Sequence, residues 1–212
     1  MESPKSAKKI KSPIAIEEEL EKKCQVIFDE FRHYTDGFRV LFLIHRNKEG
    51  GETNNTKVMK IITRNSKEYM EALKALVRTK EESDIPYRIY ASVNKRDISK
   101  AIRQFKYEQL DADYYDQEQK ENFYLDIKNR WIGCMMQPAQ RASSLFLFDV
   151  DDPEKKDICG ATLQAIGDKA EILKVYPTKN GWHIITKPFN HTTVKLPEGC
   201  SIQKDSLLLL AY

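Results

Sequence analysis

Apolar and polar positions alternate along the chain in two rhythms, one of period near 3.6 and one of period 2. Residues 16 to 33, IEEELEKKCQVIFDEFRH, place Ile16, Leu20, Cys24, Ile27, Phe28 and Phe31 at helical spacing. Acids fall early in that stretch, where a helix dipole favours them, so an amphipathic helix is predicted. FRVLFLIHR (38–46) and KVMKIITR (57–64) read as strands, and the polar loop NKEGGETNN between them fits a hairpin. Asn65 or Ser66 then caps a helix to about Arg78, YRIYASVN (87–94) alternates as a strand, and Asp97 or Ser99 opens another helix. DYYDQEQKENFYLDIKNRW (113–131) reads as one further helix with its apolar positions on one side.

From residue 145 the rhythm tightens. A strand LFLFDV, a helix around 155–167, a strand EILKVYP, a turn TKNG, a strand WHIITKPF and a last strand SLLLLAY follow one another. A hairpin makes its strands antiparallel, so this part is expected as an α+β unit with a mixed or antiparallel sheet, not a doubly wound parallel one. The chain thus divides into a basic tail over 1–15, expected to be disordered, an N-terminal α/β lobe over 16–143 and a second lobe over 144–212. The two lobes are expected to pack as one domain.

Composition narrows the class. With 41% apolar and 32% charged residues, and LLLLA as the longest apolar run, no stretch approaches the roughly 20 residues of a membrane span. The N-terminus has lysines but no apolar core, so it does not read as a signal peptide, and a cytoplasmic, intracellular protein is expected. Cys24, Cys134, Cys159 and Cys200 show no CxxC spacing and are expected as reduced, structural thiols. The net charge of +3 says little by itself. Its distribution says more: Lys5, Lys8, Lys9 and Lys11 form one cluster, and the basic residues from Arg78 to Arg103 another.

The candidate chemistry begins at LFLFDVDDP (145–153), where an apolar strand runs into three acids. Alternate strand side chains share a face, so Asp149 and Asp151 point one way, and Asp152 with Pro153 reads as strand-end punctuation. Two carboxylates so placed either bridge a hard divalent cation, Mg²⁺ or Mn²⁺, or simply end the strand. In the TKNG turn, Asn180 and Gly181 suit the positive φ of a tight hairpin turn, and Thr178 and Lys179 lie beside His183. A hydroxyl, an ammonium and an imidazole on one rim suit a triphosphate. Asp205, just before the last strand, joins the other two acids if that strand pairs beside LFLFDV.

This ordered set resembles the archaeo-eukaryotic primase superfamily, the primase-polymerases. The family carries an apolar strand ending in D-x-D or D-x-E, a small residue shortly before a strand histidine, and a later apolar strand with one more acid. Here these are Asp149 and Asp151 in LFLFDVDD, His183 in KNGWHIIT, and Asp205 in IQKDSLLLL. The resemblance implies a primase-polymerase-like fold with an RRM-like catalytic half, and metal-dependent addition of nucleotides on a single-stranded DNA template. It makes Asp149, Asp151 and Asp205 metal ligands, counts them and His183 as catalytic, and has His183 and Lys179 hold the nucleoside triphosphate, with Thr178 of the same rim as a further expected contact. Arg88, Lys95 and Arg96, near Tyr87 and Tyr90, are the expected contacts to the template, by backbone charge and base stacking. No zinc-binding spacing and no P-loop occurs, so a helicase or other replication partner is expected as a separate chain.

Two rival readings stand beside this one. A non-catalytic nucleic-acid-binding or replication-assembly protein on the same scaffold would keep the basic surface without the metal geometry. The DVDD motif also resembles the haloacid-dehalogenase-like phosphatases, which require a long parallel α/β region after the motif.

Overall fold

The first half of the chain supplies three strands of one sheet and the helices that cover both its faces. In the computed structural model, which describes residues 13–45, 56–114, 117–154 and 156–212, α1 (Pro13–Glu30) leads to β1 (Arg39–His45) and β2 (Thr56–Thr63). Then follow α2 (Ser66–Glu81), β3 (Tyr87–Ser92), α3 (Ile98–Tyr114), α4 (Gln117–Leu125) and α5 (Ile127–Met136). The lysines of residues 5–11 and the 47–55 loop lie outside the described residues, while α1 starts inside the segment expected to be a tail. Asn65 caps α2 as predicted, its side chain accepting the Glu68 N–H, and Asp97 accepts the Lys100 N–H at the start of α3.

The helix expected over 113–131 is interrupted. Asp126 leaves helical backbone space at φ −108°, ψ 21°, and its carboxylate accepts the Asn129 side-chain amide at 2.6 Å, so α5 starts afresh.

The second half runs β4 (Phe146–Asp151), α6 (Ile158–Ile166), β5 (Ile172–Pro177), β6 (Gly181–Thr186), β7 (Cys200–Gln203) and β8 (Leu207–Ala211). Two four-stranded sheets result, in the orders β2-β1-β3-β8 and β5-β6-β4-β7, and every ladder is antiparallel. The molecule is therefore α+β. On one face of the first sheet Leu41, Leu43, Ile89 and Leu208 pack with Leu20 and Cys24 of α1 and Leu73 and Leu76 of α2. On the other, Phe42, Ile44, Tyr90 and Leu209 meet Ala101 of α3 and Ile132 and Met135 of α5. Burial on both faces explains why RVLFLIH reads as a continuous apolar run.

The last strand does not take the place beside β4 on which Asp205 joining the other acids depended. β8 lies against β3 in the first sheet, with Tyr90 opposite Leu209, and does not flank β4. Both sides of β4 are already taken, by β6 and by β7. The sequence showed β7 only as a polar run, because its four residues are exposed or half-buried and carry little apolar signal. Between β7 and β8 the chain crosses from one sheet to the other, and the Ser206 carbonyl accepts the Val93 N–H at 3.0 Å where it arrives.

Buried polar groups tie the sheets together at that crossing. The fully buried Asn94 donates through Nδ2 to the carbonyls of Leu145 and Lys204, and its Oδ1 accepts the Leu145 N–H at 2.6 Å. Arg39, also buried, donates to the carbonyls of Ser92 and Val93 at 2.9 and 2.7 Å. These bonds satisfy strand-end carbonyls that would otherwise be buried without a donor.

Candidate functional site

β4 separates an apolar face from a polar one by simple alternation. Phe146, Phe148 and Val150 pack with Cys159 and Ile166 of α6, while Leu147, Asp149 and Asp151 line a cleft of about 650 Å³ on the other side. The expected shared face of Asp149 and Asp151 is thus observed. Asp152 turns away: its carboxylate accepts the backbone N–H groups of Lys156 and Ile158 at 2.7 and 3.2 Å, which makes it the strand terminator it was read as.

The acidic tip of β4 is held between two glycines. Gly181 sits opposite Asp151 on β6, and a Cβ there would lie 1.8 Å from the Val150 carbonyl oxygen. Gly199, at φ +86°, accepts the Asp151 N–H at 2.8 Å from the other side. Gly181 is therefore required by close approach. The positive φ expected at Asn180 and Gly181 is absent from both, and the connection is closed by the Thr178 N–H on the Gly181 carbonyl at 2.8 Å.

Asp149 stands in register between His183 on β6 and Ser201 on β7. The His183 Nε2 lies 3.3 Å from the Asp149 Oδ1, and its Nδ1 lies 2.6 Å from the hydroxyl of Tyr176 on β5. Burial pushes the Tyr176 phenol well above its ordinary pKa, so it keeps its proton. A neutral imidazole then satisfies both contacts in one way: Nδ1 accepts from the phenol, and Nε2–H donates toward Asp149 and the cleft. Tyr176 was not singled out in the sequence, where a tyrosine in EILKVYP reads as an ordinary strand residue.

Thr178, Lys179 and Asn180 form the cleft rim beside this row, and Arg88 reaches it from β3. The Arg88 guanidinium lies 5.2 Å from the ring centroid of Tyr212, whose hydroxyl accepts the Lys179 backbone N–H. Of the three basic residues expected to meet a template, Arg88 alone lines the cleft. Lys95 pairs with Asp36 at 3.0 Å. Arg96, expected to meet the template, is instead buried: its side chain is 0% exposed, so it offers nothing to a nucleic acid.

Asp205 is committed to an ion pair and not to the other two acids. It reaches the cleft from the β7–β8 turn, but Arg96 takes both its oxygens, at 2.8 and 2.9 Å, and the Asn94 amide lies 3.5 Å from one of them. The three-carboxylate metal site expected from Asp149, Asp151 and Asp205 does not form: among the described residues no group of three or more His, Cys, Asp or Glu side chains is placed to hold a metal ion. The pair Asp149 and Asp151 still fits a single Mg²⁺ or Mn²⁺, since such ions take one or two carboxylates and complete their shell with water and phosphate oxygens.

The four cysteines are free, and burial raises the pKa of each thiol. None belongs to the cleft. No helix of the described residues is long and apolar enough to cross a membrane. Comparison with family models, curated proteins and solved structures returns no match.

Proposed function

We propose that this chain is a primase-polymerase-like nucleotidyltransferase that adds nucleotides on a single-stranded DNA template. The observation that carries the reading is the convergence of Asp149, Asp151, His183, Thr178 and Lys179, separated by up to 34 positions in the chain, on one cleft between two antiparallel sheets. Acids and donors in one cleft suit a metal-bound triphosphate, the acids its cation and the donors its phosphate oxygens. A Mg²⁺ or Mn²⁺ held by Asp149 and Asp151 would supply charge neutralisation of the phosphates during attack of a 3′ hydroxyl on the α-phosphate. His183 would share its Nε2–H between Asp149 and a phosphate oxygen in the cleft, Thr178 would add a hydroxyl donor, and Lys179 and Arg88 would supply positive charge at the rim. The fold that the resemblance implies, an RRM-like unit joined to an α/β lobe, is part of the same proposal.

A second reading, binding without catalysis on the same scaffold, is favoured by one observation. Asp205, the third acid, is committed to Arg96, and Ser201 occupies the β7 position facing Asp149. The phosphatase reading loses its basis, because both neighbours of β4 are antiparallel to it.

A primer synthesis and extension assay on single-stranded DNA with Mg²⁺ or Mn²⁺ separates the two. The wild type is expected to incorporate nucleotides and the Asp149→Ala, Asp151→Ala double variant is not. Equal incorporation by both would sink the catalytic assignment. DNA binding that is indifferent to EDTA, with no incorporation, would establish the second reading.

A further inference from the structure

Tyr212 stands where the cleft meets a second groove. It lines the 650 Å³ cleft that holds Asp149 and Asp151 and also a neighbouring groove of about 790 Å³, and Arg88, Thr178 and Lys179 border both. Its ring is fixed at two points. The Arg88 guanidinium lies 5.2 Å from the ring centroid, and the hydroxyl accepts the Lys179 N–H. Yet the residue as a whole remains 43% exposed.

That combination has a specific use. A phenol whose hydroxyl is held and whose ring lies against a cation has little freedom left to lose, so a planar ligand can stack on it at low entropic cost. The surrounding donors, the Arg88 guanidinium and the Lys179 ammonium, suit the phosphates that accompany such a ligand. We propose that Tyr212 is a stacking platform for a nucleobase, carried either by a nucleoside triphosphate in the cleft or by a single strand in the groove. This rests on the nucleotide reading above and goes beyond it by assigning the residue that recognises the base. Stacking reads a π-face and not a hydrogen-bond pattern, so the platform accepts any of the bases.

Equilibrium binding with four probes tests the assignment: ATP with Mn²⁺, inorganic tripolyphosphate with Mn²⁺, an oligo-dT strand, and an abasic strand of the same length. Tyr212→Ala and Tyr212→Leu, the second of which keeps apolar bulk without a π-face, are expected to weaken ATP or oligo-dT binding by about ten-fold or more. Both are expected to leave tripolyphosphate and abasic binding unchanged, while Tyr212→Phe and Tyr212→Trp stay within about three-fold of wild type. Whether ATP or oligo-dT carries the loss tells which ligand supplies the base. Loss of all four probes together, or no loss with either base-bearing probe, overturns the platform and leaves the nucleotide reading intact. A wild-type protein that binds neither ATP nor oligo-dT overturns that reading, and the platform with it.

Discussion

Arg96 donates to both carboxylate oxygens of Asp205, at 2.9 and 2.8 Å, and the two side chains are 0% and 9% exposed. Breaking a pair this buried strands one charge in a low-dielectric site, a loss of about 3–5 kcal/mol, whereas replacing both partners by apolar groups is close to neutral. Asp205→Ala is therefore expected to lower the unfolding free energy, read from urea denaturation, by that amount. Arg96→Met combined with Asp205→Leu is expected to recover most of it. The opposite pattern, an Asp205→Ala protein of unchanged stability that has lost nucleotide incorporation, would make Asp205 a metal ligand and the ion pair incidental.

The Tyr176 hydroxyl fixes the orientation of His183 from behind, away from the cleft. Its removal in Tyr176→Phe leaves Nδ1 without a donor, and the two neutral tautomers then compete. In the wild type, ¹⁵N spectra of the labelled imidazole are expected to show one neutral tautomer, with the proton on Nε2. In Tyr176→Phe they are expected to show a mixture, with nucleotide incorporation down by about ten-fold at unchanged fold stability to within about 1 kcal/mol. A variant with the wild-type tautomer would show that Asp149 alone orients the ring.

Strand and helix periodicity carried most of the elements into view, and for a physical reason. β1 and β4 are buried on one or both faces, and α1 and α2 present apolar stripes to the same core, so burial wrote itself into residue spacing. The acids and the histidine were legible because LFLFDVDD and GWH place polar groups where a core strand has no structural need of them. Tertiary relations were not. Nothing in SIQK signals a strand, since β7 has little apolar side chain to bury, and without β7 the sequence gives no reason for β8 to cross to β3. The basic residues misled for a related reason. Arg96 in VNKRD looks like a surface cation, and its burial depends on Asp205, 109 positions away.

Gly181 answers for the geometry of the acid pair. With the Val150 carbonyl 1.8 Å from the position of a Cβ, alanine cannot enter without moving β4 or β6. Gly181→Ala is expected to cost about 2–4 kcal/mol in chemical denaturation, well above a surface substitution. Because the displaced backbone is that of Val150, next to Asp149 and Asp151, weaker Mn²⁺ binding is expected at protein concentrations where the variant remains folded. A Gly181→Ala protein as stable as wild type would mean that the β4–β6 ladder can open locally without loss.

Alkaline pH is expected to weaken the fold. Burial raises the thiol pKa of Cys24, Cys159 and Cys200 from 9.0 and pushes that of Cys134 up to about 12, and it also raises the phenols of Tyr69 and Tyr176 from 10.0. The unfolded chain therefore loses these protons first, near pH 9 for thiols and pH 10 for tyrosines, while the folded chain keeps them. With fewer protons bound to the unfolded state, stability falls as pH rises. It is expected to be full below about pH 8 and to decline through pH 9 to 11, as read from unfolding midpoints. Alkylation at pH 8.5 is expected to be slow in the native protein and fast in urea; rapid native labelling of Cys134 would contradict the raised thiol pKa.

Ser201 faces Asp149 across the β4–β7 ladder and is exposed. Directly opposed residues of an antiparallel pair share a face, so Ser201→Asp adds a third carboxylate beside the first without drawing on Asp205. Like charges so close repel, and without metal the variant is expected to be less stable than wild type by about 1 kcal/mol. A divalent cation converts that repulsion into ligation, so Mn²⁺ is expected to restore the unfolding midpoint and to bind about ten-fold more tightly than in the wild type, by calorimetry. Asp149→Asn in the same background is expected to abolish the gain. If Ser201→Asp leaves Mn²⁺ affinity unchanged, the β4 carboxylates do not form a cation site, and the cleft would then act on phosphates through His183, Lys179 and Arg88 alone.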